Sequence, residues 1–201
     1  MSNDVHILGS KDGALGPCHF YFDSPVLVGD PGSNAFLGGT QGATLRYEQS
    51  KSPISYDQYG TEPANQVITG EKAELETNLV QTTLERIAAV MPGFVAHGAA
   101  ADEGASQASA IGLDDLTNAR VVRMVRTFGG VELTGGDETL YLPLGAPMGQ
   151  AEWTFDASTQ RVLGVSFKFY RSAKYTRTSD GAHLWYFTQS ALDNGHVTVV
   201  P

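Results

Sequence analysis

Residues 54–93, ISYDQYGTEPANQVITGEKAELETNLVQTTLERIAAVMPG, decide how the rest of the chain is read. They give a loop, a strand and a helix, in that order. From Glu71 the residues alternate, with Ala73, Leu75, Thr77 and Leu79 on one side and Lys72, Glu74, Glu76 and Asn78 on the other. A period of two predicts a half-buried strand with a charged face. After Leu79 the period changes. Leu84, Ile87, Ala88 and Met91 fall at i, i+3, i+4 and i+7, the apolar stripe of a short amphipathic helix. Asn78 is placed to cap it, with Gln81 three residues on to answer the cap. Pro92-Gly93 stops it, because a proline turns the residue before it away from helical angles. It is the one helix the sequence predicts.

Outward from this stretch the chain reads as strand. Residues 18–22, 43–48, 120–128, 139–144, 150–155, 162–170, 182–188 and 196–200 are short apolar or alternating runs between Gly, Asp, Asn and Ser clusters. In 120–128, Val121, Arg123 and Val125 share a face, and Arg120 and Arg126 take the other. Many strands and one helix predict a mainly β fold, an antiparallel β-sandwich or barrel with one flanking α-helix, over a single domain 1–201. Between two strands, residues 49–65 are polar and carry Pro53 and Pro63; a loop that long is functional or is pinned by a partner. Residues 95–110, rich in Gly, Ala and Ser, read as a flexible loop.

Composition narrows the function. One cysteine, Cys18, rules out an intramolecular disulfide, and as a neighbour of His19 on a strand it reads as a buried structural thiol. No apolar run approaches the roughly 20 residues that span a bilayer, and neither an export signal nor membrane binding is expected. The net charge is −9, with 15 acidic and 5 basic residues up to Asp115 and 7 acidic and 8 basic after it. An acidic chain repels phosphate, so it is not expected to hold nucleic acid.

The search for chemistry turns up no catalytic constellation, metal site or cofactor site. His6, His19, His97, His183 and His196 are scattered without ligand spacing. Residues 38–42, GGTQG, lack the Lys-Ser/Thr of a phosphate loop and lead into a strand. Glu74 and Glu76 could mimic a glycosidase pair, but a charged strand face is the plainer reading. Trp185, Tyr186 and Phe187, with Tyr170 or Tyr175, leave a carbohydrate-binding β-sandwich as a rival from another class.

Taken in order, Leu37-Gly38-Gly39-Thr40 before a strand, Asp57-Gln58-Tyr59-Gly60-Thr61-Glu62-Pro63, Val67-Ile68-Thr69-Gly70-Glu71, Leu84-Glu85-Arg86-Ile87 and Met91-Pro92-Gly93 resemble the tail tube proteins of long-tailed bacteriophages. The resemblance covers residues 37–93. It implies a structural virion protein, not an enzyme, made in the host cytoplasm. Such proteins form hexameric rings that stack into a hollow tail tube, four strands from each subunit joining one barrel around the channel. The loop at 49–65, with Tyr56, Asp57, Gln58, Tyr59, Gly60 and Pro63, would reach the next ring. Glu71, Glu74 and Glu76 would face a lumen through which DNA passes without being held. The helix would pack outside through Leu84, Ile87, Ala88 and Met91. Partners would be further copies of the chain, initiator or hub and terminator proteins, and a sheath where there is one. A distal tail, hub, initiator or terminator protein on the same fold is the nearest alternative.

Overall fold

A computed structural model describes residues 14–15, 17–22, 36–54, 65–80, 83–96, 105–128, 130–133, 138–153, 162–178 and 185–199. The strands are β1 (Ala14–Leu15), β2 (Cys18–Phe22), β3 (Phe36–Ile54), β4 (Asn65–Leu79), β5 (Phe94–Ala96), β6 (Ala105–Gln107), β7 (Arg120–Phe128), β8 (Val131–Glu132), β9 (Thr139–Trp153), β10 (Leu163–Phe169), β11 (Tyr175–Arg177), β12 (Phe187–Thr188) and β13 (Val197–Val199). The helices are α1 (Leu84–Val90), α2 (Asp115–Asn118) and α3 (Gln189–Asp193). The protein is mainly β and antiparallel, as its alternation predicts.

β4 behaves as its period dictates: Ala73, Leu75, Thr77 and Leu79 are buried, while Lys72, Glu74, Glu76 and Asn78 point away from the core. It begins earlier than expected, at Asn65. β3 runs on to Ile54, and the two pair from Thr40↔Leu79 to Ile54↔Asn65 with one bulge between Thr40 and Ala43 and another between Ser50 and Lys51. Residues 49–54 and 65, expected as loop, are therefore the limbs of a hairpin. Here both faces are exposed, so no apolar alternation marks the ribbon, and a backbone ladder needs none.

The sheet closes through β9. Its first half pairs with β7, from Val125↔Thr139 to Arg120↔Gly145, and its second half pairs with β10, from Phe169↔Gly145 to Leu163↔Trp153. With β10–β4, β4–β3, β3–β2 and β2–β7 this completes a ring of six strands, which buries one face of each and leaves few free edges. Gly145 is the seam. A β-carbon there would lie 2.6 Å from Phe169 Cε1 and 2.9 Å from Val122 Cγ2, so only glycine fits. One extra β9 residue opposite β7, at Pro143–Leu144, bulges the strand and turns it. The break expected between 144 and 150 falls within one strand, where β9 turns its corner and, between Pro147 and Ala151, slips by two residues against β10.

Phe20, Leu75, Val122, Leu142, Leu163 and Phe167 fill the interior, with Phe20 and Phe22 packed on Phe167 at ring distances of 5.4 and 5.6 Å. Each such burial is worth about 1.5–3 kcal/mol. Val122 and Met124 are the residues of β7 that enter this core, and Val125 is buried on the other face. Cys18 is buried as expected, its Sγ 3.0 Å from Thr40 Oγ1, and burial pushes the thiol's pKa up.

α1 adds Ile87 and Val90 to this core, with Leu84 and Met91 packed beside them and Ala88 half-buried. Val90, one place from the expected Met91, carries the deeper contact. The cap is Thr83, whose Oγ1 accepts from Arg86 N at 3.4 Å; Asn78 cannot cap because it is still in β4, opposite Gly164. The stop falls where expected: Met91 is extended, and Gly93 takes φ +80 with Ala108 O 2.6 Å from where a β-carbon would sit. Beyond it β5 and β6 pair, so the ends of the expected loop at 95–110 form a short hairpin; residues 97–104 lie outside the described set. α2 and α3 are single turns, too short to show a stripe. A second apolar cluster (Tyr141, Tyr175, Phe187, Val197) covers the outer face of β9, with Tyr141 stacked on Phe187 at 5.4 Å.

Candidate assembly surface

Three features of the barrel bear on function: a polar sheet face, two open strand edges and the hairpin arm. The polar face is the outer side of β3, β4 and β10. Register places Thr44, Arg46 and Glu48 of β3, Lys72, Glu74, Glu76 and Asn78 of β4, and Ser166 and Lys168 of β10 on it together. Arg46 donates to Glu76 at 2.8 Å, and Lys72 lies 2.9 Å from Glu74 and 4.0 Å from Glu48. Glu74, first as hydrogen-bond partner and then as charge, raises the Lys72 pKa. Lys168 stands opposite Glu74. On β3, β4 and β10 this face carries three carboxylates (Glu48, Glu74, Glu76) and three cations (Arg46, Lys72, Lys168), and register adds Glu152 of β9, opposite Gly164, so acidic and basic residues alternate on it with carboxylates in slight excess. Glu71 is not part of it. Odd residues of β4 point inward, and Glu71 stands on that other side, just past Ala73, bonded to Arg171 and accepting from Tyr47 OH at 2.9 Å.

The edges follow from the seam. β9 leaves β7 at Gly145, and among the described residues no strand pairs with its second half on the side away from β10. On the side away from β4, β3 pairs with β2 and, at Ala43 and Thr44, with β1; from Leu45 to Ile54 no described strand covers it. β9, β10, β4 and β3 therefore make a four-stranded sheet with an open edge at each end.

The arm is the outer part of the β3–β4 hairpin. Gln49 to Ser52 and Asn65 to Thr69 are exposed, and Val67 and Ile68, on opposite faces, are 46% and 49% exposed. A lone two-stranded ribbon is marginally stable in water. Apolar residues on both of its faces give it something to lose by staying unpartnered. The expected contact residues Tyr56, Asp57, Gln58, Tyr59, Gly60 and Pro63 lie outside the described residues.

The other candidates resolve into local structure. His19 Nδ1 is 2.8 Å from Glu132 Oε1, which also accepts from Tyr21 OH, while the Arg123 guanidinium lies 4.1 Å from the Tyr21 ring centre. Burial, then the Glu132 carboxylate, pushes Tyr21 up to about 12. Burial opposes ionisation of Glu132, but the bonds from Tyr21 and His19 outweigh it and hold the carboxyl below its ordinary pKa. The network pins β8 onto β2. Arg126 lies 3.6 Å from Glu138, and Arg120 donates to the carbonyls of Thr117 and Ala119. No group of three or more His, Cys, Asp or Glu that could hold a metal occurs among the described residues. Of the aromatics that suggested a sugar site, Phe187 and Tyr175 are buried, and Trp185 lies against Tyr47 and Tyr186, at 4.9 and 3.9 Å.

Alternation places Glu74 and Glu76 on the charged face of β4, but Arg46, which bonds Glu76, and Lys168, which stands opposite Glu74 in register, come from other strands. The register that joins them comes from strands far apart in sequence.

No family model matches the chain, and no curated protein matches it. Among solved structures it is similar to one described as the crystal structure of Hcp protein, at 11% identity over 86% of this chain and 99% of that one, with a TM-score of 0.28. A score that low carries no argument about function.

Proposed function

We propose that this chain is a structural, self-associating ring subunit of the tail-tube kind: hexameric rings stack into a hollow phage tail tube, and DNA passes through the lumen. The observation that carries the reading is the four-stranded sheet with two open edges. β9 and β4 run one way, β10 and β3 the other. A copy related by rotation presents its β9 edge antiparallel to the β3 edge of its neighbour. An even number of strands per subunit lets that alternation continue round a ring, and a closed ring removes the exposed edges. The polar outer face, with Glu74 and Glu76, would then line the channel. Its cations are matched by carboxylates, so a passing duplex meets no basic patch that would retain it. The arm, exposed on both faces, would reach the adjacent ring, and α1 would lie outside.

In this reading the protein resides in the virion tail, with initiator or hub and terminator proteins at the two ends. The test is deletion of residues 57–63 in the full chain. The variant should fold and form rings that no longer stack; stacking of normal tubes would show that the arm does not join rings.

A further inference from the structure

We infer that the direction of the hairpin arm is set by a latch at its root, made by two side chains from the C-terminal third of the chain. The arm leaves the barrel at a bulge: Ser50 pairs with Gly70 but Lys51 pairs with Ile68, so Thr69 is an extra residue, and its Oγ1 donates to Ser50 O at 3.3 Å. A bulge bends a ribbon and loosens its ladder locally. By itself it leaves the bend angle to thermal motion.

Just below the bulge the angle is fixed from outside the hairpin. Arg171, following β10, donates to Glu71 Oε2; Tyr47 OH donates to Glu71 Oε1 at 2.9 Å, and Gln49 Nε2 donates to Tyr47 OH. The Glu71 side chain is 22% exposed and that of Arg171 53%, so this charge-assisted bond lies at the surface with its carboxylate end the more covered. Trp185, ahead of β12, stacks on the Tyr47 ring at 4.9 Å and 22° and packs on the core cluster. The guanidinium and the indole thus hold one residue on each limb of the hairpin, Glu71 and Tyr47. Beside them lies an open cleft of about 540 Å³ between arm and barrel, lined by Ile68, Gly70, Phe169 and Tyr170 among others. That is free space for the arm to move into once the latch is released. The C-terminal layer holds the arm in one direction, and opening the latch redirects the arm without melting its ladder.

The inference does not rest on the ring reading and is tested on the unassembled full chain. Spin labels at Ser52→Cys and Ala89→Cys, in a Cys18→Ala background, report the arm-to-barrel distance by double electron–electron resonance. The unmodified latch should give one narrow distribution. Arg171→Ala and Trp185→Ala should each broaden it by about twofold or more, with the thermal unfolding transition still cooperative. Lys72→Ala, on the opposite sheet face, should leave it narrow. The charge swap Glu71→Arg with Arg171→Glu should restore part of the narrowing. Distributions for Arg171→Ala and Trp185→Ala as narrow as the parent's, or a parent distribution already as broad as theirs, would overturn the inference.

Discussion

Replacing Gly145 with alanine perturbs the seam that closes the barrel and frees the β9 edge. The new β-carbon would lie 2.6 Å from Phe169 Cε1 and 2.9 Å from Val122 Cγ2, well inside the usual carbon contact of about 3.5–4.0 Å. Val122 is fully enclosed by the packed core, and Phe169 can yield only toward the cleft beside it, so the clash is not relieved without cost. Overpacking of this kind costs about 1–3 kcal/mol. Alanine recovers about 0.4–1 kcal/mol by restricting the unfolded chain. The net loss is about 1–2 kcal/mol. At a urea m-value of about 1–3 kcal/mol per M, the midpoint should fall by roughly 0.3–2 M. The assay is equilibrium urea unfolding followed by tryptophan fluorescence, run also in a Phe169→Leu background. There the ring edge is gone and the same substitution should cost less, a coupling that a double-mutant cycle reads directly. Gly42→Ala is the comparison: it has no atom within 4 Å of its β-carbon and is strained only by φ +88. A Gly145→Ala protein as stable as its parent, or an equal cost in both backgrounds, would refute the reasoning.

Ile87→Asp should abolish cooperative folding, because it removes about 3 kcal/mol or more of core packing and buries a charge; circular dichroism melts check it against Glu85→Ala, which should change little. Alkaline stability should fall in a defined window. Tyr21 sits at about 12 against 10.0, so the folded state keeps the proton that the unfolded state releases. Its contribution is whole below pH 10.0 and is lost as pH rises toward about 12. Tyr21→Phe should flatten that fall in urea midpoints. The exposed pair Arg46–Glu76 should contribute only about 0.2–1 kcal/mol by double-mutant cycle. Val67→Lys with Ile68→Lys should leave the melting temperature nearly unchanged but, on the proposed function, prevent stacking in sedimentation runs.

What the sequence made legible is what has one wet and one dry face. Ala73, Leu75, Thr77 and Leu79 announce β4 because only their side is buried, and Leu84 and Ile87 announce α1 for the same reason. Where that contrast vanishes, so does the signal. The limbs of the arm are wet on both faces and read as loop. Pro143, Gly145, Pro147 and Gly149 punctuate β9 like a turn, although the strand runs on past them, bulging at Pro143, changing partner at Gly145 and shifting register against β10 between Pro147 and Ala151. Asn78 and Thr83 both stand in capping patterns, and only the length of β4 decides between them. The charge balance of the outer face and the root of the arm were out of reach: Arg46 meets Glu76, and Glu71 meets Arg171, through pairings that local periodicity does not encode.

Negative-stain electron microscopy of the full chain at high concentration, alone and seeded with preformed rings, tests the central claim most directly. The account predicts hollow stacked rings of uniform diameter, lost when residues 57–63 are removed. Dispersed monomers under both conditions would contradict it.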